Sequence, residues 1–160
     1  MSVRVLAAAA AILALAAVPA VARQASAGSL VVKDTHMRAS LGANPNTGAY
    51  LTVTNRGAAK DKLVGASCAC AARVELHEMS DVGGVMKMKK VDAFEVPAGG
   101  QLVLAPRGKH LMVFGLTQPV KTGDMVQMTL RFEKAGAVTT SFHVMNDPGA
   151  TGGGGGHQHH

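Results

Sequence analysis

Aromatic side chains are scarce: 160 residues contain no Trp, one Tyr and four Phe. Charge is sparse as well, with Asp, Glu, Lys and Arg making up 16% of the chain. The formal net charge of +6 is spread along the sequence, and Lys87, Lys89 and Lys90 form the single tight basic group. A nucleic-acid surface needs a concentrated basic face with aromatics to stack on bases, so that class of partner is excluded. Two cysteines are too few for a disulfide-built mini-fold. No Gly-rich phosphate loop, Cys2His2 zinc-finger spacing or nucleophile elbow is present. The ten carboxylates are scattered and no acid–base pair stands out, so the chain is expected not to be an enzyme.

What is present begins with a leader. Arg4 precedes an apolar run from Val5 to Val18, Pro19 ends it, and Ala20-Val21-Ala22 and Ala25-Ser26-Ala27 both have A-x-A form. This is the pattern of a secretory signal peptide over residues 1–27, cleaved after Ala22 or Ala27. The run is short of the roughly 20 apolar residues that span a bilayer, so no stable membrane insertion is expected. The exported chain would be periplasmic in a Gram-negative cell. It divides into a folded domain, 28–147, and a flexible tail, 148–160, whose five glycines end in His157-Gln158-His159-His160.

Between leader and tail, short β-branched segments alternate with turn signals. Ala49–Thr54, Arg73–Met79, Val85–Val91, His110–Leu116, Met125–Phe132 and Val138–Met145 are the clearest strands. Breaks such as Asn55-Arg56-Gly57, Gly83-Gly84 and Pro97-Ala98-Gly99-Gly100 recur at roughly 8–12 residues. No amphipathic helix of useful length follows the leader. The fold class is therefore all-β, an Ig-like sandwich with Greek-key order.

Nine methionines and seven histidines are the chemical signal. Alternate residues of a strand share a face, so His77 pairs with Met79, Met86 with Met88, and His110 with Met112. A hairpin centred between Val82 and Gly83 would oppose His77 to Met88 and Met79 to Met86, gathering an imidazole and three thioethers on one patch. Thioethers are soft and uncharged, and with neutral imidazoles they suit Cu(I). Ca²⁺ and Mg²⁺ want oxygen ligands, and zinc sites use Cys, His or carboxylate. Met125 and Met128 read as core filling, and His36-Met37 as structural.

The spacing His77-x10-Met88-x21-His110-x-Met112 resembles the signature of the periplasmic copper chaperone family PCu(A)C. The surrounding stretches V-E-L-H-E-M, G-V-M-K-M, V-P-A-G-G, H-L-M-V-F-G-L and K-T-G-D are similar to it too, from about Leu30 to Glu133. The resemblance implies a cupredoxin-like sandwich that binds one Cu(I) through His77, Met88, His110 and Met112. It also implies delivery to a cuproprotein, with the CuA or CuB centre of cytochrome c oxidase as recipient and a Sco-type protein alongside.

Other donors could be accessory ligands: Met79, Met86, Cys68, Cys70, His143, Met145 and the tail histidines His157, His159 and His160. Cys68-Ala69-Cys70 would form an easily reduced disulfide or a free dithiol able to hold Cu(I) or act in redox. A mobile tail of about twelve residues reaches on the order of 20 Å, and its imidazoles suit Cu(II). Three other functions stay open. A blue-copper electron carrier needs a Cys ligand among its His and Met, and both Cys precede His77. A thiol-disulfide oxidoreductase would use Cys68 and Cys70 without the usual Cys-x-x-Cys. Copper storage would use the same His/Met site as delivery.

Overall fold

The computed structural model describes residues 25–146, which form eleven strands. They are β1 (Ala25–Ala27), β2 (Leu30–Arg38), β3 (Thr47–Asn55), β4 (Asp61–Ser67), β5 (Ala71–Val82), β6 (Val85–Val91), β7 (Phe94–Val96), β8 (Gln101–Leu104), β9 (Lys109–Leu116), β10 (Met125–Phe132) and β11 (Gly136–Met145). No helix occurs among the described residues. Hydrogen bonding runs β2-β11-β10-β4-β5-β9-β3, and a β2–β3 pairing closes that path into a ring. The fold is thus an all-β sandwich whose edges are joined. The β2–β11 pair is parallel and its neighbours antiparallel, the arrangement of a chain that returns to its first long strand.

Period-two burial builds the core. In β10, Val126, Met128, Leu130 and Phe132 point inward, while Met125, Gln127 and Arg131 face water. Phe142, Leu30, Met37, Leu51, Leu63, Leu111, Met128 and Leu130 are fully enclosed. Met128 is core, as its pattern suggests. Met125 is not: it is 44% exposed and sits on the outer face, because Met125 opens β10 one residue out of phase with the buried set.

Two local features decide where donor side chains point. At Asp34 the backbone turns to φ 54 and the β2–β3 register shifts between Lys33 and His36. This bulge flips the inward set from Leu30 and Val32 to Thr35 and Met37. His36 is thereby moved to the outer face. The second feature is the β5–β6 turn. Gly83 and Gly84 have φ of 65 and 82, so they alone form the two-residue loop, and Val82 pairs with Val85. The hairpin is therefore centred between Gly83 and Gly84, not between Val82 and Gly83. Met88 faces Met79 and Met86 faces Asp81. The shift is two residues, so every donor keeps its face.

Asp61, 5% exposed, ties the start of β4 to the β10–β11 turn. Its carboxylate accepts the Lys62 and Lys134 N–H on Oδ1 at 2.7 and 2.9 Å and the Ala135 N–H on Oδ2 at 2.9 Å. Burial pushes this carboxyl up, but the three backbone donors prevail and hold it below its ordinary value.

Candidate metal centre

Strands β6, β5 and β9 lie side by side and carry the four signature residues on the face opposite the core. His77 on β5 is directly opposed to His110 on β9, with ring centroids 5.9 Å apart. Met112 is opposed to Glu75, and Met88 to Met79. Met112 and Met88 are therefore the two diagonal neighbours of His77, a separation of about 7–8 Å that long side chains can close. His77 is the hub of the group. Both imidazoles are 7% exposed, whereas Met88 is 49% exposed.

Glu75 sets the ring of His77. It lies two residues earlier on the same face, and its Oε2 accepts from His77 Nε2 at 2.9 Å. Its Oε1 takes Arg73 Nε at 3.0 Å and Lys90 Nζ at 3.6 Å. The hydrogen bond from His77, then that from Arg73, hold the Glu75 carboxyl down to about 2. An ionised carboxylate can only accept, so Nε2 carries the proton. In the neutral ring Nδ1 then has the lone pair, and this buried atom has no hydrogen-bond partner among the described residues. A buried, unpartnered nitrogen is costly unless something binds it. Sequence reasoning missed Glu75, although its place two residues before His77 was there to be read.

His110 is oriented in the complementary way. Its Nδ1 lies 3.0 Å from the Gly108 carbonyl, so Nδ1–H donates and Nε2 keeps the lone pair. Burial lowers the affinity of this ring for a proton, and His77 nearby adds to that against the Gly108 bond. Such outer hydrogen bonds are how metal-binding imidazoles are usually fixed. An open cavity of about 770 Å³ adjoins the site, lined by Met79, His110, Met112, Tyr50, Gly48 and Arg38 among others. Gly48 is opposed to Met112. A Cβ there would lie 2.8 Å from Tyr50 Oη, so glycine leaves room for the phenol beside the thioether.

The remaining expected donors are dispersed. Met79 borders the cavity, and Met86 is exposed near the hairpin tip. Cys68 and Cys70 are disulfide-bonded with Cα atoms 5.1 Å apart, so in this state they offer no thiolate. They precede β5, roughly 20 Å along the strand from His77. His143 and Met145 lie on β11, where His143 Nδ1 is 3.3 Å from Met125 Sδ and His143 is paired with His36. His36 thus lies beside His143 on the outer face of the sheet. His157, His159, His160 and residues 1–24 of the leader lie outside the described residues. Among the described residues no three His, Cys, Asp or Glu converge to hold a metal, so a metal on this face would take sulfur from Met as well.

The all-β fold matches that of PCuAC domains of known structure. The copper-bound PCuAC domain from PmoF2 is 26% identical with a TM-score of 0.65, covering 76% of this chain and 96% of its own. Apo-DR1885 from Deinococcus radiodurans is 30% identical with a TM-score of 0.60, covering 92% and 95%. The Cu(I) form of DR1885 is 32% identical with a TM-score of 0.59, covering 70% and 75%. Residues 30–144 match the LpqE-like family model, "Putative lipoprotein LpqE-like", and the chain belongs to that family. A relative from Leifsonia xyli subsp. xyli, "Putative lipoprotein Lxx21020", is 34% identical over 105 residues. That match spans 65% of this chain and 63% of the relative's length.

Proposed function

We propose that this chain is an exported copper chaperone that holds Cu(I) on His77, Met88, His110 and Met112. The carrying observation is the hub geometry: two opposed imidazoles, a thioether at each diagonal of His77, and a buried Nδ1 on His77 without a partner. Such a set is neutral, soft and matched to a monovalent ion. His77 Nδ1 and His110 Nε2 supply the firmer bonds. The thioethers supply weaker ones that an incoming Cys, His or Met can displace, which is what a carrier needs. The resemblance to PCu(A)C proteins supports delivery to a CuA or CuB centre of cytochrome c oxidase, beside a Sco-type protein. Export is supported by the leader and by the lipoprotein names of the relatives. Cleavage after Ala22 keeps β1, which pairs with β2, whereas cleavage after Ala27 would remove it. The tail histidines His157, His159 and His160 are read as a Cu(II) capture segment.

An anaerobic Cu(I) titration against a competing chelator tests the site. One tight equivalent in the native chain, absent from a His110→Ala/Met112→Ala variant, is the expected result. Tight binding that persists in the variant would overturn the assignment. Storage in place of delivery is distinguished by whether the loaded protein passes its copper to a recipient centre.

Glu75 gives a second, independent check. Glu75→Ala removes the group that fixes the His77 ring while leaving all four ligands. Cu(I) affinity should fall by roughly 10–100-fold, the usual effect of losing an outer hydrogen-bond partner. Glu75→Gln keeps an accepting oxygen and should recover part of that loss. The same competition titration reads both.

A further inference from the structure

The outer face that carries His77 and His110 continues across the sheet. His110 is followed by Tyr50 at 6.5 Å between ring centroids, and Tyr50 by His36 at 6.4 Å. His36 on β2 is the Cα partner of His143 on β11, and His143 that of Met125 on β10. Three adjacent strands thus place Met125, His143 and His36 in one row. Their chain neighbours Val126, Val144 and Met37 are all buried in the core, so the row itself points outward. His143 Nδ1 and Met125 Sδ already lie 3.3 Å apart.

We propose that His36, His143 and Met125 form a second Cu(I) site on this face. The chemistry of the donors selects the metal. Two imidazoles and one thioether carry no ligand charge, and no third His, Cys, Asp or Glu converges with the two histidines among the described residues. Hard divalent ions therefore find no oxygen cage here, and sulfur favours the soft monovalent ion. Placement supports the reading. The Asp34 bulge moves His36 off the core side of β2, and Met125 stands 44% exposed beside His143 instead of being packed away. His36 and His110 are two strand spacings apart, about 10 Å, so both copper ions would lie on one face with Tyr50 between them. Three donors in place of four make this the weaker site. The proposal takes its metal from the copper reading above, but its residues are separate from those of the first site.

Methionine methyl NMR on the full chain, labelled at the Met ε-methyl carbons and titrated anaerobically with Cu(I), tests it. Met125→Leu and Met112→Leu variants identify the two signals that matter. The Met112 signal should move with the first equivalent and the Met125 signal with the second. In a His36→Ala/His143→Ala variant the Met125 response should be lost while that of Met112 remains. Unchanged signals of the core residues Met37 and Met128 would report an intact fold. A Met125 signal that stays still through three equivalents while Met112 moves would overturn the second site alone. So would a Met125 response that survives in the double variant, or one that occurs with Zn(II) and not with Cu(I). A Met125 response without any at Met112 would uphold the second site and remove the first.

Discussion

Replacing His77 with Ala should abolish tight Cu(I) binding, with a larger effect than any other single substitution in the chain. His77 is opposed to His110 and diagonal to both Met88 and Met112, so it is the one donor adjacent to the other three. Its loss removes the nitrogen that Glu75 holds in place and leaves His110 as the sole imidazole of the centre. The fall in affinity should exceed the roughly 100-fold that marks loss of an outer partner. Met88→Leu should cost less, because a thioether is the weaker donor. Met79→Leu distinguishes the two methionines that face each other across the hairpin. If Met88 is the ligand, Met79→Leu leaves the competition titration nearly unchanged. Tight binding in His77→Ala would dismantle the centre as drawn.

The second large effect is on acidity. An imidazole must be neutral to bind copper, so below its pKa each bound ion displaces a proton and affinity falls about tenfold per pH unit. Burial holds His110 below its ordinary 6.5, with the neighbouring His77 adding to this and the Gly108 bond opposing it. Its share of the loss therefore begins at a lower pH than it would for an exposed ring. Glu75, held down to about 2, stays ionised throughout and keeps orienting His77. The metal-free protein follows the same sign. The unfolded chain takes up the His110 proton first, so that contribution to stability is complete above 6.5 and falls away as the pH drops toward the lowered value. A Cu(I) affinity that is flat from pH 7.5 to 5 would refute ligation by imidazole.

The strand set was readable because alternation is a local pattern, whereas the four-residue set rests on the resemblance to a family signature. Alternation along β10 or β9 and the gaps between His77, Met88, His110 and Met112 need no knowledge of distant pairing. Strand pattern alone allows a hairpin centred between Val82 and Gly83, two residues off the observed register, whereas positive φ at two successive positions requires Gly83-Gly84. β1 was hidden because Ala25-Ser26-Ala27 is also a cleavage-type sequence. The outward placement of His36 was hidden for a deeper reason. A period-two reading from Leu30 and Val32 sends His36 into the core, and only the bulge at Asp34 reverses it. Its meeting with His143 depends on a parallel pairing between strands more than a hundred residues apart in the chain, which no short spacing encodes. Glu75 could have been found from strand period alone, since it is the same-face neighbour of His77.

The β5–β6 hairpin has a consequence for the rate of transfer. β9 covers β5 only as far as Glu78, while β6 follows it on to Val82, so the end of the hairpin projects past the closed ring. His77 and His110 belong to the wall of that ring, but Met88 belongs to the projection. Opening the projection breaks few buried contacts and lies at the low-energy end of native-state fluctuations, whereas moving either imidazole requires disturbing the ring. Copper would therefore be unclamped from one side in a fixed order, with Met88 first and the histidines last. The time for which the protein retains its cargo would then be set by the breathing of one hairpin, independently of the stability of the whole domain.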